Sequence, residues 1–284
     1  VHRADSAGRP WEGRSFDHHD TAYAGDDGSA PPSYLAAVAA LVAGAGGRAA
    51  VVEALRGERL LVPLLAKAGE TGVDERGRTI DKTQELSIVT VQGPDGAAIL
   101  PMFSHVAAMQ AWNPAARPVP TSVQRAAAAA LDGPARIVVD PGSESEFVLS
   151  RTMLEALLAD ASWSWGVEDA AVHGAVADAV FAQDVVQAIV LATGDPRSRL
   201  SGADLEVHAL VAATAKAQAE DVAAQLQRAA TRLGDDAVVR ERVASVALRI
   251  HRWGGGAVEL PLVAPAALAL TRAEWELAPQ LPRD

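Results

Sequence analysis

Ile99-Leu100-Pro101-Met102-Phe103 and Ile137-Val138-Val139-Asp140-Pro141-Gly142 are the two apolar runs whose reading decides the fold. Each is short, and the second closes on residues that stop a strand, so both read as buried strands rather than helices. Before the first run, Pro94-Asp95-Gly96 supplies a turn and Leu86 to Val91 is β-rich, which predicts a hairpin. Pro101 has no amide donor and belongs at an edge or a bulge. Between the runs, Ser104 is placed to cap a helix from His105 to Trp112 that Asn113-Pro114 stops. Burial of Val106, Met109 and part of Trp112, roughly 1.5 to 3 kcal/mol for each fully buried side chain, would tie this helix to the hairpin. Arg117-Pro118-Val119-Pro120 is extended, and Thr121-Ser122-Val123-Gln124 has capping-box spacing before an alanine-rich helix to Leu131. After the second run, Ser143 to Glu146 reads as a turn and Phe147-Val148-Leu149 as a further strand.

Strand-Pro101-Met102-Phe103, helix to Trp112, Ala116-Arg117-Pro118-Val119-Pro120, helix, Val138-Val139-Asp140-Pro141-Gly142-Ser143, then Glu146-Phe147-Val148-Leu149: this order resembles the SseB-like family of actinobacterial type. The resemblance covers about Arg59 to Leu158 well and is weaker elsewhere. The family name comes from enhanced serine sensitivity; a type III secretion protein shares the name without the architecture. The resemblance implies an SseB N-terminal α+β domain. It implies no reaction or catalytic residue, so no site is carried onto positions here.

Composition bounds the function. The chain has 284 residues, 49% of them hydrophobic and 21% charged, enough for a sizeable core and for two domains. A net charge of −11 disfavours broad attraction to nucleic-acid phosphates or anionic membranes. With no cysteine there is no disulfide or thiolate chemistry, which suits a cytoplasmic protein. The first thirty residues lack the basic start and apolar core of a secretory signal, so none is expected. Tyr34 to Ala45 is too short to span ~30 Å of hydrocarbon at 1.5 Å per residue.

Residues 1–33 read as an extended N-terminal arm in which Trp11, Phe16 and Tyr23 could dock on the body or on a neighbouring subunit. His18-His19-Asp20 invites a metal reading, but adjacent histidines lack ligand spacing, and no metal or cofactor is expected. Ser33 could cap a helix through Leu35, Val38 and Val42, ended by Gly44 to Gly47, with a second helix from Arg48 to Leu55. Gly44, Gly46 and Ala49 match a dinucleotide fingerprint by letters only, because no strand precedes them. Arg59 to Ala66 is a strand with Pro63 at an edge or bulge. Residues 67–84 form a long charged loop, either a solvated excursion or a partner-binding loop.

Thr152 to Glu155 has capping-box spacing before Leu157-Leu158. Trp163-Ser164-Trp165, two tryptophans on one face of an extended segment, would wedge between domains or grip a partner. From Glu168 the chain reads helix, strand, strand, helix, strand, with Leu205, Val207, Ala209 and Val211 alternating with Glu206 and His208 as in a half-exposed strand. After Trp253-Gly254-Gly255-Gly256 the tail stays apolar enough to add a strand or helix to a surface, its own or a second copy's. The expected class is α+β: two small mixed or antiparallel sheets each backed by helices, with extended N- and C-terminal arms. Its units are an arm (1–33), an α+β domain (34–160), an αββαβ domain (161–253) and a docking tail (254–284).

No zinc motif, nucleophile elbow or phosphate loop is present, and Ser104-His105 is explained by capping. The reading is therefore a non-catalytic protein that binds a protein partner or a second copy, without nucleic-acid or membrane partners. Trp112, Arg117, Asp140, Trp163 and Trp165 are its candidate partner or interdomain contacts. The alternative is a small-molecule sensor, for an amino acid given the family name, with an interdomain pocket near Arg117 and Asp140. An enzyme with dispersed residues stays open as a third class.

Overall fold

Prolines and turn residues determine how the first strands pair. A computed structural model describes residues 23–66, 71–73, 79–81, 86–212, 219–256, 260 and 262–277. Trp11, Phe16, His18-His19-Asp20, most of the charged 67–84 loop and residues 278–284 lie outside the described residues. Helices α1 (Pro32–Val42) and α2 (Arg48–Leu55) precede strand β1 (Arg59–Ala66) and the small hairpin β2 (Thr71–Val73) and β3 (Thr79–Asp81). The β-rich run expected from 86 to 91 divides: β4 (Leu86–Ile88) pairs with β1, whereas β5 (Val91–Gln92) pairs with β6 (Ala98–Met102). Its turn is as expected, with Gly96 at φ 77°, the left-handed region that glycine enters without penalty.

Helix α3 (Val106–Trp112), strand β7 (Arg117–Ser122), helix α4 (Val123–Leu131), strands β8 (Ile137–Val139) and β9 (Phe147–Leu149) and helix α5 (Arg151–Leu158) complete this half. The sheet orders are β4-β1-β7 and β5-β6-β8-β9, and the pair Leu61–Phe103 joins β1 to the end of β6 by two backbone bonds of 2.8 and 3.0 Å. Pro101 does sit at a local edge. Leu100 N donates to Arg136 O and Asp140 N to Met102 O, so the Pro101 nitrogen faces the side that β5 has already left. Side chains of α1, α2, α4 and α5 pack on the sheet around Leu60, Met102, Ile137, Val139, Phe147 and Leu149. Helix α4 starts one residue later than the Thr121–Gln124 spacing predicts: Thr121 is in β7, and Ser122 is the cap, its Oγ accepting from Arg125 N at 3.2 Å. Ser33 and Thr152 lie inside α1 and α5 instead of capping them.

The second half has its own core. Helix α6 (Ala170–Phe181), strands β10 (Val186–Ala192) and β11 (Leu205–Ala212), helices α7 (Ala219–Asp235) and α8 (Ala237–Arg242) and strand β12 (Val246–Trp253) follow in order. Strand β12 runs parallel to β11, the direction a helical crossover imposes, so this sheet is mixed. The tail then supplies strand β13 (Leu268–Thr271) and helix α9 (Arg272–Leu277), giving the order β12-β11-β10-β13. The surface that the tail docks on is thus this chain's own β10.

Arg272 fixes that docking. Its guanidinium donates to Val186 O, Phe181 O at 2.9 Å and Gln183 O at 2.6 Å, and lies 5.3 Å from the centre of the Phe181 ring. Arg272→Ala should cost about 1–3 kcal/mol in urea unfolding, the penalty for leaving buried carbonyls unpartnered. Phe147→Ala, which empties a site of zero exposure, should cost about 3–5 kcal/mol in the same measurement.

Candidate functional site

Strand β8 ends on Asp140 at φ 51°, and this unusual backbone turns a fully buried carboxylate back toward the end of β6. Asp140 Oδ1 accepts from Ser104 N at 2.7 Å, and Oδ2 accepts from Ser104 Oγ at 2.5 Å and Ser145 Oγ at 2.8 Å. His105 Nδ1 lies 2.9 Å from Ser104 Oγ and 3.8 Å from Asp140 Oδ2. Ser104 therefore does not cap α3; the free Val106 N–H at that helix start donates instead to Gly28 O at 2.9 Å. The Tyr34 hydroxyl donates to Ser145 O at 2.6 Å, and burial, together with the nearby Asp140 charge, raises its pKa well above the ordinary phenol value.

Serine, histidine and aspartate here are in the wrong order for nucleophilic catalysis. In a working triad the histidine stands between the other two. Here Ser104 donates straight to the carboxylate, with His105 Nδ1 beside it rather than between the two, and has zero exposure, so its oxygen has no open path to a substrate. The cluster is a staple that joins the ends of β6 and β8 to the 143–145 turn.

A second cluster joins the two halves. Arg48 on α2 is buried, its guanidinium 5.4 Å from the centre of the Trp163 ring and 4.5 Å from that of Trp165. Its Nη2 donates to Asp204 Oδ1 at 2.6 Å. Asp204, ahead of β11, also accepts from Trp165 Nε1 at 3.1 Å and from Ala244 N at 3.2 Å, so both carboxylate oxygens are used. The Trp163 indole donates to Thr152 Oγ1 at 3.1 Å. Two other ties reinforce this seam. Arg199 Nη2 donates to Ser143 O and Glu144 O, beside a bond from Val148 N to Ser198 O at 2.7 Å. Arg151 donates to Arg240 O and Val243 O at the end of α8, where carbonyls lack helical partners.

The five residues singled out from sequence thus have different surroundings. Trp163 and Trp165 lie in the seam, Asp140 lies wholly within the first half, and Trp112 tilts against Phe103 with ring centres 5.4 Å apart. Arg117 is exposed on β7 and does not meet Asp140. Arg48 and Asp204 were not found from sequence, since a lone arginine opening an alanine-rich helix carries no mark of burial. An open cleft of about 480 Å³ lies elsewhere, lined by Tyr23, Asp26, Asp27, Pro31, Glu58 and Arg59. Its Arg59 is held by Asp26, and among the described residues no group of three or more acidic or histidine side chains could hold a metal.

The strand pair β11–β12 differs from expectation. His208 is buried, because Trp253, Leu260 and Leu262 cover the sheet face that alternation had left half-exposed. Its Nδ1 lies 2.9 Å from His251 Nε2, with the rings stacked 5.1 Å apart, and Glu206 stands 3.5 Å away. Burial, then the His251 charge, lowers the His208 pKa from 6.5. Beyond His251, no described residue pairs with the outer edge of β12, where Val246 and Ile250 are 37% and 54% exposed.

Residues 35–156 match the SseB protein N-terminal domain, and over that stretch the chain is SseB-like. No curated protein and no solved structure matches the chain.

Removing either partner of the buried pair leaves the other charge stranded, so Arg48→Met and Asp204→Asn should each cost about 3–5 kcal/mol in urea unfolding. The double variant should cost less than the sum. For His208 the folded pKa lies below the unfolded one, so the unfolded chain binds the extra proton. Stability should fall as pH drops through about 6.5 and below, and His208→Gln should flatten that part of a melting-temperature profile.

Proposed function

We propose that this SseB-like chain is a non-catalytic binding module, a fixed two-domain body that receives another polypeptide on the open edge of its second sheet. The observation that carries the reading is β12: eight residues long, unpaired on its outer side among the described residues, with exposed Val246 and Ile250. Open edges are templates for another strand, and proteins usually blunt them. Here β7 is blunted by Pro118 and Pro120, and β9 is covered by the Ser198 loop. Among the described residues β12 has neither a proline nor a covering loop, and carries only cationic charge, at Arg249 and Arg252.

Two features weigh against the rival classes. The Ser104–His105–Asp140 cluster spends its hydrogen bonds on itself. A metabolite sensor with a pocket between the domains needs space at the seam, and Arg48, Trp163, Trp165 and Asp204 occupy it. No described helix is long and apolar enough to cross a membrane, and a cytoplasmic address belongs to the same proposal.

A benzophenone amino acid placed at position 250 in native cells should form crosslinks to another chain, whereas one at Leu158, also exposed on the first half, should not. Equal crosslinking at both positions would remove the case for β12. A fluorophosphonate probe should leave Ser104 unlabelled; an adduct there would overturn the non-catalytic assignment.

A further inference from the structure

The backbone register of β12 shows which groups are on offer. Leu205 N donates to Ser245 O, and β11 and β12 pair in parallel as Leu205 with Val246 and Glu206 with Ala247. In a parallel ladder a residue bonds to the two neighbours of its partner. Ser245, Ala247, Arg249 and His251 therefore turn their peptide groups toward β11. Val246, Leu248, Ile250 and Arg252 direct theirs outward.

The side chains alternate to match. Leu248 packs on the core beneath the helices, which places Val246, Ile250 and Arg252 on that face. Trp253 packs with Leu210 on the opposite face, which places Arg249 and His251 there. β12 contains no acidic residue. Glu206 pairs with Arg249, while Arg252 has no ion pair among the described residues. The strand is thus an apolar and cationic edge on a chain of net charge −11.

We propose that this edge takes an extended acidic segment of another protein as a fifth strand, with apolar residues beside Val246 and Ile250 and carboxylates beside Arg249 and His251. The proposal rests on the binding-module reading above. Charge favours this occupant over a second copy: antiparallel self-pairing of β12 centred on Arg249 would set the Arg249 side chains of the two copies directly opposite each other, and like charges there are destabilising. An acidic strand instead gains opposite-charge pairs on the same rungs.

The test uses the full chain and two fluorescein-labelled peptides, four Val-Glu repeats and four Val-Lys repeats, in an anisotropy titration. The glutamate peptide should bind more tightly than the lysine peptide and weaken as sodium chloride rises from about 0.05 to 0.5 M. Ile250→Pro, which removes an outward N–H and no bond to β11, should abolish that binding with circular dichroism unchanged. Arg249→Gln, on the face that meets the glutamates, should weaken it by up to about fivefold, a second readout if the proline variant fails to fold. Equal binding of both peptides, lost in Ile250→Pro, would overturn the acidic partner and keep the binding module. No peptide binding, with light scattering showing a dimer that Ile250→Pro dissolves, would assign the edge to a second copy and overturn the acidic partner. No binding and a monomer throughout would overturn both.

Discussion

A single guanidinium holds the architecture together. Arg48 leaves the first half of the chain, lies between two indoles and ends on a carboxylate of the second half. A buried ion pair gives little net stability by itself, because desolvating both charges offsets most of their attraction. What it gives here is direction. Misplacing either half would strand a charge away from water, so one relative placement of the two bodies is favoured over its neighbours. The tryptophans contribute apolar burial and cation–π contact, and their N–H groups are both bonded. Arg151 and Arg199 then fasten the seam at the end of α8 and the 143–145 turn.

The polar groups buried in this chain are mostly committed to building it. Asp140, Ser104 and Ser145 satisfy one another where β6 and β8 end, and Asp195 accepts from Arg199 N, Leu200 N and Ser201 Oγ within its own loop. Such networks specify a unique packing when complete. Among the described residues, the buried side-chain atoms left without a hydrogen bond are Arg48 Nε, Arg199 Nε, His208 Nε2 and Trp253 Nε1.

Much of the fold was legible in the order of residues. The strand ending on Asp140 and the turn at Gly96 both follow from local chemistry. Pairing was less legible. Nothing in Leu86 to Gln92 announces that its halves serve different strands, since the choice depends on β1 arriving from elsewhere in the sequence. Helix starts slipped for a similar reason: Ser104 has the right side chain for a cap, but a buried aspartate 36 residues away competes for it. His208 obeys the alternation that marks a half-exposed strand, and only the returning tail covers it. Arg48 was silent because burial of a charge is decided by a partner on the far side of the chain.

That partner has a temporal consequence. Asp204 is 156 residues beyond Arg48, so on a ribosome adding about 5–20 residues per second the arginine exists for roughly 8 to 30 seconds before its counter-ion is made. During synthesis, the first half must either keep this side chain hydrated or hold it loosely against the indoles. Final closure of the molecule is therefore a late, post-assembly event that waits on the second half.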